Sequence, residues 1–305
     1  MSEKFTHGRS RFSGGLFCAA AMLFATFSAG QSRACELVAE DPAAVQIDYN
    51  PFAIGQASGP LDILFVNQSD TACDLRLRLV DDGGAPLTGA SVGGVNILFV
   101  PRESSGLLHR GAQYGLFELA IEPDDRVRAE LDATVMNNMV AEAGEHATDL
   151  FLAVTDIDGQ PLLPRIPIRM ILRSTPRAQI NIAGSAGAFG SGSTVDVIDF
   201  GEAATGATHR AFLQVRANTE ATLTVRSEHH GVMRHMEGGE TGSTVPYEVE
   251  LDGIPVDLAE AWIHRVDPPR TLDGISLPLD FTLGAVAGQM SGKYEDLITI
   301  DVTPR

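Results

Sequence analysis

The chain has 305 residues, on the order of two domains' length, and is 44% hydrophobic and 20% charged. That is a globular composition, not that of a disordered tail or a polytopic membrane protein. Lysine and arginine number 22 against 40 acidic residues, a net charge of −18, and so acidic a surface repels nucleic acid and anionic membranes alike. Three cysteines are too few for a four-thiolate zinc site, and 31 glycines with only 6% aromatics favour turn-rich β structure over helical bundles.

Residues 1–34 read as an export signal. Lys4, Arg9 and Arg11 supply a basic start, and 16–30 is an apolar stretch too short for a comfortable membrane span. Ser32-Arg33-Ala34 puts small residues at −3 and −1, placing cleavage after Ala34. The alternatives are a retained anchor or a lipoprotein, although no apolar residue stands three positions before Cys35. Cys18 leaves with the signal, so Cys35 and Cys73 remain as an even pair in an exported chain, read as one disulfide. Closing its loop of about 37 residues stabilises the fold by on the order of 3 kcal/mol.

Period-2 patterning follows. Residues 45–49, 61–66 and 75–79 alternate or run apolar between clusters of Gly, Pro, Asn and Asp. Further strands are predicted at 95–100, 116–121, 150–154 and 166–172, spaced as in a sandwich or barrel. Segment 129–142 reads either as a helix, with Leu131, Val135 and Met139 at i, i+4 and i+8, or as an apolar-tipped loop. The Gly/Ser-rich stretch 175–192 reads as a flexible connector or wide turn between domains. Beyond it, 195–200, 211–215, 221–225, 246–251, 277–283 and 297–302 are strand-like, and Asp257 with Glu260 is placed to cap one short helix before Trp262.

The two halves end alike. Gly144 precedes Asp149-Leu150-Phe151-Leu152-Ala153-Val154-Thr155, and Gly292 precedes Asp296-Leu297-Ile298-Thr299-Ile300-Asp301-Val302-Thr303. The first copy then turns through Asp156-Ile157-Asp158-Gly159 into the apolar segment 166–172, whereas the second is followed only by Pro304-Arg305. If both halves share one topology, the second lacks a final strand. Its apolar face (Tyr294, Ile298, Ile300 and Val302) would then be an aggregation-prone edge unless something from outside covers it.

Little chemistry stands out, and neither an enzyme nor a cofactor is expected. His229, His230 and His235, with Glu228, have no HExxH spacing, and adjacent histidines on a strand face opposite ways, so a polar hairpin is expected and no metal. Residues 156–159 lack the remaining ligands of a calcium loop, and the Gly-rich run 184–192 opens no βαβ unit. For contact with a ligand or surface, the candidates are Val135, Met136, Met139 and Val140, because methionine adapts to irregular apolar contacts. The other reading is that Val135 and Met139 pack inward. Phe99-Val100-Pro101 is a second candidate.

An early Cys35 leads into Val45-Gln46-Ile47-Asp48-Tyr49-Asn50-Pro51-Phe52, then Cys73 and 75–79, and the chain closes on Ser291-Gly292-Lys293-Tyr294-Glu295-Asp296-Leu297-Ile298-Thr299-Ile300-Asp301-Val302. Both patterns resemble the spore coat protein U domain family, subunits of archaic (Csu-type) chaperone–usher pili. That family closes on roughly Ala-Gly-Thr-Tyr-x-Asp and a Thr/Val-rich strand. Gly292, Tyr294 and Asp296 keep the frame, while Ser291 and Lys293 depart from it, 85–145 matches poorly, and the second half has no cysteine pair. The resemblance implies an all-β protein of two immunoglobulin-like sandwiches, the C-terminal one lacking its final strand. Its partners would be a periplasmic chaperone, an outer-membrane usher and a neighbouring pilin subunit donating a β-strand, with export to the surface of a Gram-negative cell. Tyr294, Ile298, Ile300 and Val302 would then border the donor-strand groove.

With cleavage after Ala34, no donor segment would precede the first cysteine. Residues 35–175 then read as the binding domain and 176–305 as the fibre-anchoring domain of a tip adhesin that attaches to an unknown surface or receptor. The alternatives are an internal or minor pilin, for which cleavage near Ala21 would leave an apolar extension, and a secreted enzyme or carbohydrate-binding β-sandwich.

Overall fold

The computed structural model describes residues 35–109, 114–136, 139–190, 192–238 and 242–305; the export-signal reading of 1–34 lies outside them. The first half contributes β1 (Leu37–Ala39), β2 (Val45–Tyr49), β3 (Ser58–Asn67), β4 (Cys73–Val80), β5 (Ala90–Val92), β6 (Val95–Pro101), β7 (Leu108–His109), β8 (Leu116–Ile121), β9 (Arg126–Val135), β10 (Gly144–Thr155) and β11 (Ile166–Ser174). The second contributes β12 (Ala178–Ala183), β13 (Thr208–Ala217), β14 (Ala221–Ser227), β15 (Val232–His235), β16 (Thr244–Leu251), β17 (Ile254–Pro255), β18 (Trp262–Val266), β19 (Ile275–Leu283), β20 (Tyr294–Glu295) and β21 (Ile298–Pro304). The protein is all-β apart from one 3₁₀ turn at Glu103–Ser105 among the described residues.

Each half is a two-sheet sandwich with its own core. In the first, sheet β1-β3-β9-β6-β5 faces sheet β2-β11-β10-β4-β8-β7. Alternation does the sorting: along β2, Val45, Ile47 and Tyr49 are buried while Gln46 and Asp48 are exposed. Phe65, Phe99 and Phe117 fill the middle. In the second, sheet β12-β13-β19-β16-β15-β20, with β17 paired to β16, faces a sheet of three strands among the described residues, β18-β14-β21, around Leu213, Leu223, Leu279 and Phe281. Cys35 and Cys73 form a disulfide that ties the segment before β1 to the start of β4.

Three sequence expectations change. The helical reading of 129–142 fails: 129–135 belong to β9, because Ala129, Leu131, Ala133 and Val135 all point into the core at period 2. Asp257 caps no helix; its carboxylate accepts the Ala259 amide at 2.9 Å in an Asx turn, and Trp262 opens β18. Segment 195–200 has strand-like alternation but belongs to no strand.

The passage between sandwiches is pinned. β12 begins at Ala178, inside the stretch read as a connector. Buried Asn218 accepts the Arg177 amide (2.7 Å) and donates to Ser174 Oγ (3.0 Å) and the Thr175 carbonyl (2.9 Å), while its own carbonyl accepts the Ala143 amide at 2.8 Å. The Arg216 guanidinium lies between the rings of Phe52 and Phe189, 4.6 and 4.1 Å from their centroids, and donates to Gln179 Oε1.

Candidate functional site

Seven strands of each sandwich match in sheet order and in chain order. The row β1-β3-β9-β6 has its counterpart in β12-β13-β19-β16, and the row β10-β4-β8 in β21-β14-β18. β10 and β21, whose sequences look alike, therefore occupy equivalent places. In the first sandwich the sheet continues past β10: β11 pairs antiparallel with β10, and β2 pairs parallel with β11. In the second sandwich the sheet stops at β21, which pairs with β14 on one edge and with no strand on the other among the described residues.

Burial registers the difference. Leu150, Leu152 and Val154 on β10 are fully buried, whereas Ile298, Ile300 and Val302 on β21 are only half-buried. Beside β21 runs an apolar groove with a cavity volume of about 400 Å³. Ile298, Ile300 and Tyr294 form one wall, Ala211, Leu279 and Phe281 belong to its floor, and segment 195–200 forms the far wall. Val302 lies outside the lining, opposite Leu223 in the β14 register. Segment 195–200 holds the chain position that β2 holds in the first sandwich. Its Ile198 and Phe200 pack against the core, while Val195 and Val197 stand exposed. Among the described residues it makes no backbone-to-backbone hydrogen bond. Its pattern thus looks like a strand, but the ladder partner that would make it one is missing.

A buried carboxylate fixes one end of the groove. The Asp296 side chain is 3% exposed. It accepts hydrogen bonds from the Tyr247 hydroxyl, Ser227 Oγ (2.5 Å) and the amides of His229 (3.0 Å) and Leu297 (2.9 Å). His229 Nδ1 lies 3.1 Å away, at ion-pair distance but outside hydrogen-bonding geometry. The carboxylate thereby ties β14 and β16 to the entry of β21. Burial, and then the bond to Asp296, push the Tyr247 hydroxyl well above its usual pKa. An unfolded tyrosine ionises near pH ~10, so above that pH the unfolded chain has lost a proton that the folded one keeps, and stability falls as pH rises. Tyr247→Phe is expected to flatten that alkaline slope, as read by denaturant titrations between about pH 8 and 11. Tyr49, also raised by burial, keeps its share.

The other sequence candidates are scattered. Val135 is completely buried and belongs to the core, not to a binding surface; Met136 and Met139 are 36% and 41% exposed. Met139 and Val140 lie towards the joint with the second sandwich: Tyr49 Oη donates to the Met139 carbonyl, and Ala143 bonds Asn218. Phe99 is buried and Val100 exposed. The histidines do not converge: His230 contacts the Ala259 carbonyl, and His235, edge-on to Tyr294, contacts the Ser291 carbonyl. Sequence reasoning missed Asp296 as an anchor and 195–200 as a groove wall; the Tyr-x-Asp spacing was the only signal for the first.

Comparison with solved structures finds similarity to several adhesins. One is a chain of the CsuC–CsuE chaperone–tip adhesion subunit pre-assembly complex from archaic Csu pili of Acinetobacter baumannii, with 8% identity, 87% of this chain and 99% of that chain covered, and a TM-score of 0.37. Another is CfaE, the adhesive subunit of CFA/I fimbria of enterotoxigenic Escherichia coli, with 11% identity, coverage of 88% and 94%, and a TM-score of 0.34. The CupB6 tip adhesin from Pseudomonas aeruginosa gives 11% identity, coverage of 88% and 93%, and a TM-score of 0.33. No family model and no curated protein matches the chain.

Proposed function

We propose that this protein is a subunit of a chaperone–usher fibre that accepts a β-strand from another polypeptide in its second sandwich. Its complete first sandwich mediates attachment from the fibre tip. The observation that carries this reading is the unpaired outer edge of β21, at the place where β10 carries β11. The resemblance of the closing motif to pilus subunits supports it. The incoming strand takes the place of β11, antiparallel to β21 and parallel to 195–200, and sets alternate apolar side chains over Ile298 and Ile300. A periplasmic chaperone supplies that strand before assembly, the usher passes the subunit outward, and a neighbouring subunit supplies it in the fibre. Sequencing the mature N-terminus separates a tip subunit from an internal or minor pilin.

A peptide copying β11, residues 166–174, tests strand acceptance because this chain already uses it in the equivalent place. At about a hundredfold excess over its dissociation constant it is expected to stabilise the full chain by about 2.7 kcal/mol and to protect β21 amides from exchange. A peptide with aspartate in place of Ile168 and Met170, or the variant Ile300→Asp, abolishes both effects. An unchanged melting temperature with β21 amides equally exposed would overturn the proposal.

A further inference from the structure

The outer face of the first sandwich carries a second cavity, of about 320 Å³, lined by Arg78, Pro86, Leu87, Thr88, Tyr114 and Leu116. Backbone bonds hold its two segments together. Leu79 on β4 accepts the Leu87 amide at its carbonyl and donates its own amide to the Gly115 carbonyl, both at 2.9 Å. Segments 85–88 and 114–116 therefore abut along one edge of β4. Gly115 makes this possible: its φ is +75°, and a β-carbon there would collide with the Leu87 carbonyl. On β4, Arg78 points outward between Leu116 on β8 and Ala153 on β10, with no bulky side chain opposite it in register on the β10 side.

Arg78 is the anomaly. Of the six arginines on this sandwich's strands, Arg76 meets Glu118, Arg169 meets Asp149 and Arg173 meets Glu145 across the sheet, while Arg126 and Arg128 stand exposed to water. Arg78 is half-buried and has no hydrogen-bond or ion-pair partner among the described residues, in a chain with 18 excess negative charges. Glu118, one pair further along the ladder, is already engaged by Arg76. A partly desolvated guanidinium is stabilised by an anion that accepts its fork of N–H donors. Beside it stand the half-exposed ring of Tyr114, the apolar side of Leu87 and Leu116, and the exposed hydroxyl-bearing Thr88. One cation, one ring and one hydroxyl in a small open cleft match a pyranose that carries a single carboxylate, with its C–H face on the ring.

We infer that this cleft is a binding site for a carboxylate-bearing sugar of the uronic or sialic acid class, with Arg78 holding the carboxylate and Tyr114 the sugar face. The inference rests on the attachment role proposed for the first sandwich and names its ligand class. The test is calorimetric or NMR titration of the full chain with free glucuronic acid and N-acetylneuraminic acid. Glucuronic acid methyl ester, galactose and an acetylated aspartyl peptide serve as comparators.

At least one acid sugar binds, with the two acids separating the uronic from the sialic source, and the ester and galactose do not. Arg78→Gln weakens binding by about tenfold or more, while Arg126→Gln, an exposed arginine on β9, leaves it unchanged. Absence of binding by both acids, equal binding of the ester, or equal binding to Arg78→Gln with its fold intact by circular dichroism overturns the inference; so does a peptide that binds as tightly as the sugars. Strand acceptance is read separately, by the β11 peptide on the second sandwich, so either idea can fail without the other.

Discussion

Asp296→Ala is expected to destabilise the second sandwich by about 3–5 kcal/mol, because it breaks a buried charged network from one side. The lost group is a carboxylate with four donors. Two of them, the Tyr247 hydroxyl and the Ser227 hydroxyl, belong to half-buried or buried side chains on separate strands. Each donor left without an acceptor away from water costs about 1–3 kcal/mol, and relaxation recovers part of the sum. The control is Asp301→Ala, whose carboxylate meets Arg226 at 2.8 Å on the exposed face of β21, with both side chains 55% exposed. Such a pair contributes about 0–1 kcal/mol. Urea titrations of the two variants side by side check the contrast. Equal destabilisation would mean that the Asp296 network is not what holds the entry of β21.

Removing the disulfide, as Cys35→Ser with Cys73→Ser, is expected to cost about 3–4 kcal/mol, since the bridge spans a sequence separation of 38 and longer loops lose more chain entropy on closure. At about 2–4 °C per kcal/mol for a chain of this size, the melting temperature of the first sandwich falls by roughly 10 °C. The second sandwich carries no cysteine and should melt unchanged. Two calorimetric transitions, of which only one moves, would be the signature.

The strands whose apolar residues are large were legible from sequence: Val45, Ile47 and Tyr49 in β2, or Leu75, Leu77 and Leu79 in β4, leave no doubt about the period. β9 was obscured because two of its four inward residues are Ala129 and Ala133, which carry little hydrophobic signal, so Leu131, Val135 and Met139 at a spacing of four imitated a helix. Segment 195–200 shows the converse. Its alternation is that of a strand, but a strand is defined by its neighbour, and among the described residues no neighbour pairs with it. The groove was visible as an uncovered apolar face at Ile298 and Ile300, while its floor at Ala211 and Phe281 came only from folding. Asn218 and Arg78 gave no local signal, because their meaning lies in partners far along the chain, or in the lack of one.

The joint at Asn218 has a mechanical consequence. Turning one sandwich against the other would break the bonds from Asn218 to Ala143, Ser174 and Thr175 together and would pull Phe52 away from Arg216. Torque applied at one end is therefore transmitted to the other with little give, so that the molecule acts as a stiff lever, not as two beads on a string.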